Sequence, residues 1–355
     1  MTLENFIRRM PKVELHVHLE GSIRPATLLT LAKRNHVTLP ANTVEGLQEW
    51  YQFSDFAHFV EIYFAICNCI RTPDDFELIV AEFLKHQFEQ NIKYSEVIFT
   101  PYTHYEHLSF DEQLTAINRV RKQAEASLGI SMGLVPDISR HMRPVEQSFL
   151  VADWAAKNMG NGIIALGLGG PEIDNPPEIF QEAFKRIRAA GLPSLPHAGE
   201  TEGPGSIWGA INALSAIRIG HGVRCLEDPE LVAFLREKQI PLDVCPTSNV
   251  CLKVAPTLAD HPLPKLLEEG LLVTINSDDP PMFNTTLTNE YLRISETFDF
   301  DATQIKQFVL NGVQASLLPT DTKEALENEF RKQFIQLENE IKEEEQADQS
   351  KARNS

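Results

Sequence analysis

Three things are scarce in this 355-residue sequence: paired cysteines, basic charge and long apolar runs. The five cysteines stand at 67, 69, 225, 245 and 251, an odd number with no C-x-x-C spacing. That excludes a disulfide framework and a cysteine-based zinc site, and it fits reduced core thiols in the cytoplasm. Lys and Arg number 32 against 50 Asp and Glu, a net charge of −18. A chain this acidic has no general basic surface for nucleic acid or an anionic membrane. No stretch approaches the ~20 apolar residues of a membrane span. The richest, 59–70, is interrupted by Glu61 and Asn68. No apolar core follows Arg8 and Arg9, so the opening residues do not read as a secretory signal. Several catalytic signatures are also missing. There is no Walker loop, no H-E-x-x-H and no G-x-S-x-G elbow. Gly167-Leu168-Gly169-Gly170 lacks the third spaced glycine of a dinucleotide fingerprint. Cys245-Pro246 has the reverse order of the cytidine-deaminase P-C-x-x-C.

What is present is an ordinary globular composition, 43% apolar and 23% charged. Eight short apolar runs recur, at 13–17, 94–99, 130–135, 163–168, 192–196, 216–220, 241–245 and 272–275. Their nearly continuous apolar character suits parallel strands buried on both faces. Helical patterns separate them, so the expected fold is α/β, a (β/α)₈ TIM-type barrel. Seven of the eight runs would also fit an open doubly wound sheet. Helix starts are expected at Ser22 before Pro25, at Thr72-Pro73-Asp74-Asp75, and at Asp228-Pro229-Glu230. The segment 20–93 is too long for one crossover helix and should hold extra helices after the first strand. It is rich in aromatics, including Trp50, Tyr51, Phe53, Phe56, Phe59, Tyr63 and Phe64. Those side chains could form a packing layer, a lid over a flat apolar ligand, or both. The expected organisation is one barrel unit over 1–335 and an acidic, solvated tail over 336–355.

The chemistry-bearing residues cluster at strand ends. His16 and His18, two apart, share one face of the first strand. His197-Ala198-Gly199-Glu200, His221-Gly222 and Asp278-Asp279-Pro280 each follow a later apolar run. Singly, each has a bland reading as a satisfied barrel residue. In a barrel they converge on one mouth, where active sites lie. Three histidines and a carboxylate there make a divalent cation site, with zinc the default. Glu200 and His221 remain beside it, the groups a hydrolase needs to move protons.

The strings Glu14-Leu15-His16-Val17-His18-Leu19-Glu20-Gly21-Ser22, His197-Ala198-Gly199-Glu200, His221-Gly222-Val223, Cys245-Pro246-Thr247-Ser248-Asn249 and Asn276-Ser277-Asp278-Asp279-Pro280 resemble the adenosine deaminase family of the amidohydrolase superfamily. The likeness runs from about Met10 to Leu318. It implies that His16, His18, His197 and Asp278 ligate one zinc per chain, with Asp278 also catalytic. Glu200 would protonate purine N1, and His221 would orient or deprotonate the water that attacks C6. Asp279 would meet N7, the backbone N–H of Gly170 would meet N3, and His18 and Glu20 would face the rest of the substrate. The implied reaction is zinc-dependent hydrolytic deamination of a 6-aminopurine nucleoside, adenosine to inosine plus ammonia. Alternatives are 6-aminodeoxyfutalosine or adenine as substrate, or a non-catalytic ligand-binding relative. The sequence departs from the family pattern in two places, Glu20 for the usual Asp and Pro171 for the Asp of Leu-Ala-Gly-Asp-Glu. Both fall where the sugar would bind. Adenine deaminases tend to carry Ser-Ser where Gly169-Gly170 stands here. A small molecule is the only partner implied, and the oligomeric state stays open. His36, His58, His86, His104, His107, His141 and His261 are expected outside the site.

Overall fold

The computed structural model describes residues 3–353, with side chains as far as Glu343. Eight strands, β1 (Lys12–His18), β2 (Ile92–Phe99), β3 (Ser131–Ser139), β4 (Leu166–Gly169), β5 (Ser194–Ala198), β6 (Ile219–His221), β7 (Leu242–Val244) and β8 (Val273–Ile275), pair in sequence order. Every pairing is parallel. The chain just past β8 closes the ring. Asp278 N–H donates to His16 O at 3.1 Å, and His18 N–H to Asp278 O at 2.9 Å. Asn276 Oδ1 accepts from Leu15 N–H at 2.8 Å and His16 N–H at 3.1 Å. The result is the expected (β/α)₈ barrel.

All eight apolar runs became strands, but three begin two or three residues later than their hydrophobicity suggests: β4 at Leu166, β5 at Ser194 and β6 at Ile219. Pairing continues instead into polar residues at the mouth, as where Ala198 pairs with His221. Backbone hydrogen bonding sets the strand ends, and apolarity only marks the buried middle.

The segment after β1 holds four α-helices, Pro25–Arg34, Val44–Trp50, Phe56–Cys67 and Pro73–Glu89. Thr72 and Asp75 form a reciprocal capping box behind Pro73. Asp228 caps its helix by accepting from Glu230 N–H and Leu231 N–H. Ser22 does not cap. The cap residue is Arg24, and Ser22 Oγ instead donates to His18 O at 2.6 Å.

The last helix runs Thr320–Arg353, so the boundary drawn at 335 falls inside it. Phe330, Phe334, Leu337 and Ile341 are buried in one core cluster with Phe6. Arg9 pairs with Glu340 at 2.6 Å and Lys306 with Glu338 at 2.7 Å. A narrow apolar stripe at helical spacing is enough to dock an otherwise acidic helix. The remaining acidic side chains, from Glu344 on, lie outside the described ones. No helix among the described residues is long and apolar enough to cross a membrane.

Candidate active site

Four strand ends deliver the expected residues to one mouth. His16 and His18 come from β1, His197 from β5, His221 from β6 and Asp278 from the turn after β8. His18 Nε2 lies 3.2 Å from His197 Nε2 and 3.3 Å from Asp278 Oδ1; His16 Nε2 lies 3.6 Å from the same oxygen. Ligands about 2.0–2.1 Å from a tetrahedral ion stand about 3.3–3.4 Å apart. Donors of His16, His197, His221 and Asp278 all lie within 4.8 Å of one another, and His18 joins the cluster through His197 and Asp278, so the group suits a divalent cation. Two further observations agree. His16 Nε2 is buried with no hydrogen-bond partner. His197 is held neutral by burial, and its Nδ1 donates to Leu168 O at 3.0 Å, which leaves Nε2 a lone pair facing the cluster. His221 lies within the same radius, with Nε2 3.8 Å from Asp278 Oδ2 and 3.7 Å from Glu200 Oε1. His221 and Asp278 both sit in left-handed backbone, at φ 62° and 64°. That conformation is uncommon for non-glycine residues, with histidine and aspartate among those that tolerate it best.

The tautomer of His221 follows from its neighbours. Leu263 N–H donates to His261 Nδ1 at 3.1 Å. Burial pushes His261 down to about 4, so the ring is neutral at pH 7 and its one proton sits on Nε2. That Nε2–H donates to Asn249 Oδ1 at 3.0 Å, which turns the Asn249 amide N–H toward His221 Nδ1 at 3.3 Å. Burial also takes His221 down to about 4. Neutral and accepting at Nδ1, it presents Nε2–H to the site.

The carboxyl groups separate into two kinds. Burial pushes Glu200 well up, helped by the charges of Asp278, Glu172 and Asp279. Burial and the Asp278 charge do the same to Asp279. Asp278 goes the other way, because the imidazoles of His16, His18 and His221 packed around it overcome its burial. Environment thus pushes Glu200 and Asp279 toward the donating acid form and Asp278 toward the accepting carboxylate, a division of labour among neighbouring carboxyls. Gly21 is required here, since a Cβ on it would run into the Asp279 carboxylate.

Glu172 holds the loop that carries Glu200. Its carboxylate accepts from the backbone N–H of Gly199 (2.8 Å), Glu200 (2.9 Å), Thr201 (2.8 Å) and Glu202 (3.3 Å), and from Ser206 Oγ. Burial works to raise its pKa, but Ser206, Arg140 and these amides together hold it below the ordinary 4.5. Glu172→Ala should destabilise the protein by about 1–3 kcal/mol or more, because it strands several buried donors. Denaturant unfolding at pH 7 is the measurement, and an unchanged midpoint would remove Glu172 as the anchor. A depressed pKa adds stability that is fully present above 4.5 and is lost as pH falls through the lowered value. The gap between wild type and Glu172→Ala should accordingly narrow in acid.

Above this floor lies a cavity with about 650 Å³ of empty space, part of it open to solvent. Phe56, Phe59, Val60, Tyr63 and Phe64 from one inserted helix form an apolar wall, so the aromatic segment is both packing layer and cover. Gly170, at φ 95°, lines the opposite side. Glu20 is not among the walls. It is fully buried behind Tyr63, whose hydroxyl donates to it at 3.3 Å, and it accepts from Thr100 N–H at 2.9 Å and meets His104 Nε2 at 3.1 Å. His141, expected outside, lines the cavity, whereas His104 stays behind the wall against Glu20. Asn249, His261, Glu172 and Asp137 were given no role by sequence reasoning. Two strings could have pointed to two of them: Cys245-Pro246-Thr247-Ser248-Asn249 to Asn249, and Leu168-Gly169-Gly170-Pro171-Glu172 to Glu172.

Comparison with known proteins agrees with this geometry. The family model for adenosine deaminase matches residues 11–333. An adenine deaminase from Crocosphaera subtropica is 41% identical over 91% of this chain and 99% of its own. An aminodeoxyfutalosine deaminase from Streptomyces avermitilis is 40% identical over 89% of each. A zinc-bound amidohydrolase structure from Burkholderia ambifaria superimposes with a TM-score of 0.88 at 27% identity, over 95% of this chain and 94% of that one.

Proposed function

Because the chain belongs to the adenosine deaminase family and is a hydrolytic deaminase, we propose that it removes the 6-amino group of a 6-aminopurine nucleoside, with adenosine as the leading candidate. The observation that carries this reading is the pair of buried carboxyl groups, Glu200 and Asp279, lining the cavity beside the histidine and aspartate cluster, where burial raises the pKa of both. Purine ring nitrogens are hydrogen-bond acceptors, and a carboxyl with a raised pKa is the complementary donor. Glu200 delivers its proton to N1, which makes C6 electrophilic. Asp279 donates to N7, and the N–H of Gly170 meets N3. Zinc, held by His16, His18, His197 and Asp278, would supply a Lewis acid that activates water at neutral pH. His221, fixed with its proton on Nε2, orients the attacking oxygen by donating to it. Water adds at C6, one of its protons returning to Glu200 and the other passing to N6; the C6–N6 bond then breaks, and ammonia leaves the 6-oxo purine protonated at N1. Its unpaired cysteines suit a reducing compartment, so the same proposal places the reaction in the cytoplasm.

A second reading is 6-aminodeoxyfutalosine, favoured by the aromatic wall from Phe56 to Phe64, which suits a bulkier apolar group beyond the sugar. The test is ammonia release by zinc-loaded protein from adenosine, adenine and 6-aminodeoxyfutalosine. Nucleoside turnover should exceed adenine turnover by about tenfold or more, the size expected for one charged hydrogen bond to the sugar. A preference for adenine overturns the nucleoside assignment. Silence on every 6-aminopurine overturns the whole reading.

A further inference from the structure

One buried carboxyl facing the cavity has no part in the metal cluster or the proton set. Asp137, on β3, is 2% exposed and lines the cavity with Gly169, Gly170, His18 and Thr100. Its Oδ1 is buried without a hydrogen-bond partner. A buried carboxylate oxygen left unpaired costs about 1–3 kcal/mol or more, so a fold that keeps one has another use for it. The neighbouring strand makes room for this side chain. A Cβ on Gly169 would collide with Asp137 Oδ2, and one on Gly167 would stand 3.0 Å from Asp137 Cβ.

The substrate's own chemistry limits what can meet that oxygen. N1, N3 and N7 of a 6-aminopurine are acceptors and repel a carboxylate. The 6-amine is a donor but sits at the reacting carbon, over the metal cluster. The donors left are on the N9 side. On the deaminase reading above, we propose that Asp137 is a specificity-determining residue. Its carboxylate accepts a hydrogen bond from the N9 side of the purine, from a sugar hydroxyl of a nucleoside or from N9–H of a free base. Glu20, the acid adjacent in sequence to the metal motif, does not take this part, because its oxygens are already bound by Thr100, His104 and Tyr63.

The test compares kcat/KM for adenosine and for adenine with that for 9-methyladenine, which has no donor on that side. Where 9-methyladenine turns over too slowly, its inhibition constant stands in. Wild type, Asp137→Ala and the isosteric Asp137→Asn are measured, the last guarding against a folding defect. At least one of the two ratios should fall about tenfold to a hundredfold in Asp137→Ala, as loss of a hydrogen bond to a charged group predicts. A fall in the adenosine ratio identifies the sugar as the donor, and a fall in the adenine ratio identifies N9–H. Ratios that stay within about threefold in both variants overturn the proposal, including the case where a protonated Asp137 serves all three substrates alike. Wild-type silence on all three instead overturns the deaminase reading on which the proposal rests.

Discussion

Glu200→Gln is expected to keep its zinc and its fold while kcat falls by about 10²–10⁴-fold, the range for removing a general acid. Glutamine matches the side chain in volume and can still donate a hydrogen bond to a ring nitrogen. It has no proton to give. The loss should therefore appear in kcat rather than KM, which separates proton transfer from binding. The raised pKa of Glu200 adds a pH signature. Its acid form persists to higher pH than that of an ordinary glutamate and is lost as pH rises through the raised value, so the wild-type rate should decline on that alkaline limb. In Glu200→Gln the limb should be absent. Metal analysis and a pH–rate profile on the substrate identified in the ammonia screen decide the matter. Near wild-type turnover in a folded, zinc-containing variant would take Glu200 out of the mechanism.

Asn249→Asp should be nearly as damaging, although residue 249 touches no reacting atom. The amide donates to His221 Nδ1 and accepts from His261, and an aspartate can only accept. His221 would then carry its proton on Nδ1, leaving a lone pair on the Nε2 that faces Glu200 and Asp278. A wrong histidine tautomer in an otherwise intact site costs on the order of 10²–10⁴ in kcat. The substitution is isosteric, so thermal unfolding should move little while kcat collapses. His261→Gln can still donate to Asn249 Oδ1 and should retain more activity than Asn249→Asp. Asn249→Asp with normal kcat would mean that the tautomer of His221 does not matter.

Residues that speak to their sequence neighbours were readable in advance; residues that speak across the barrel were not. His16 and His18 lie two apart on a strand, and Asp278 and Asp279 directly follow an apolar run, so local periodicity alone put them at a mouth. The eight strands were legible because burial on both faces leaves an apolar signature. Asn249 gains its meaning from His221, 28 residues away, and from His261, 12 away. Glu172 gains its meaning from amides beginning 27 residues later. No periodicity records such pairs. Glu20 shows the opposite failure. Adjacency to His18 suggested an exposed reach to the substrate, but Tyr63, Thr100 and His104, supplied by other segments, enclose it. In the final helix the acidic composition masked Leu337 and Ile341, where a stripe one residue wide carries the packing.

The joint between the last and first strands has an evolutionary consequence. Its backbone clasp is made by Asp278 with His16 and His18, the same residues whose side chains form the cation cluster. Drift in a duplicated copy freed from its chemistry would not be neutral there. Losing Asp278 leaves His16 and His18 buried without their carboxylate and removes a left-handed residue the turn was built around. Retiring the enzyme while keeping the scaffold would thus require further substitutions to accommodate the buried imidazoles and the left-handed turn. Descendants that still have a barrel are for that reason biased toward retaining these histidines and this aspartate, whatever they come to act upon.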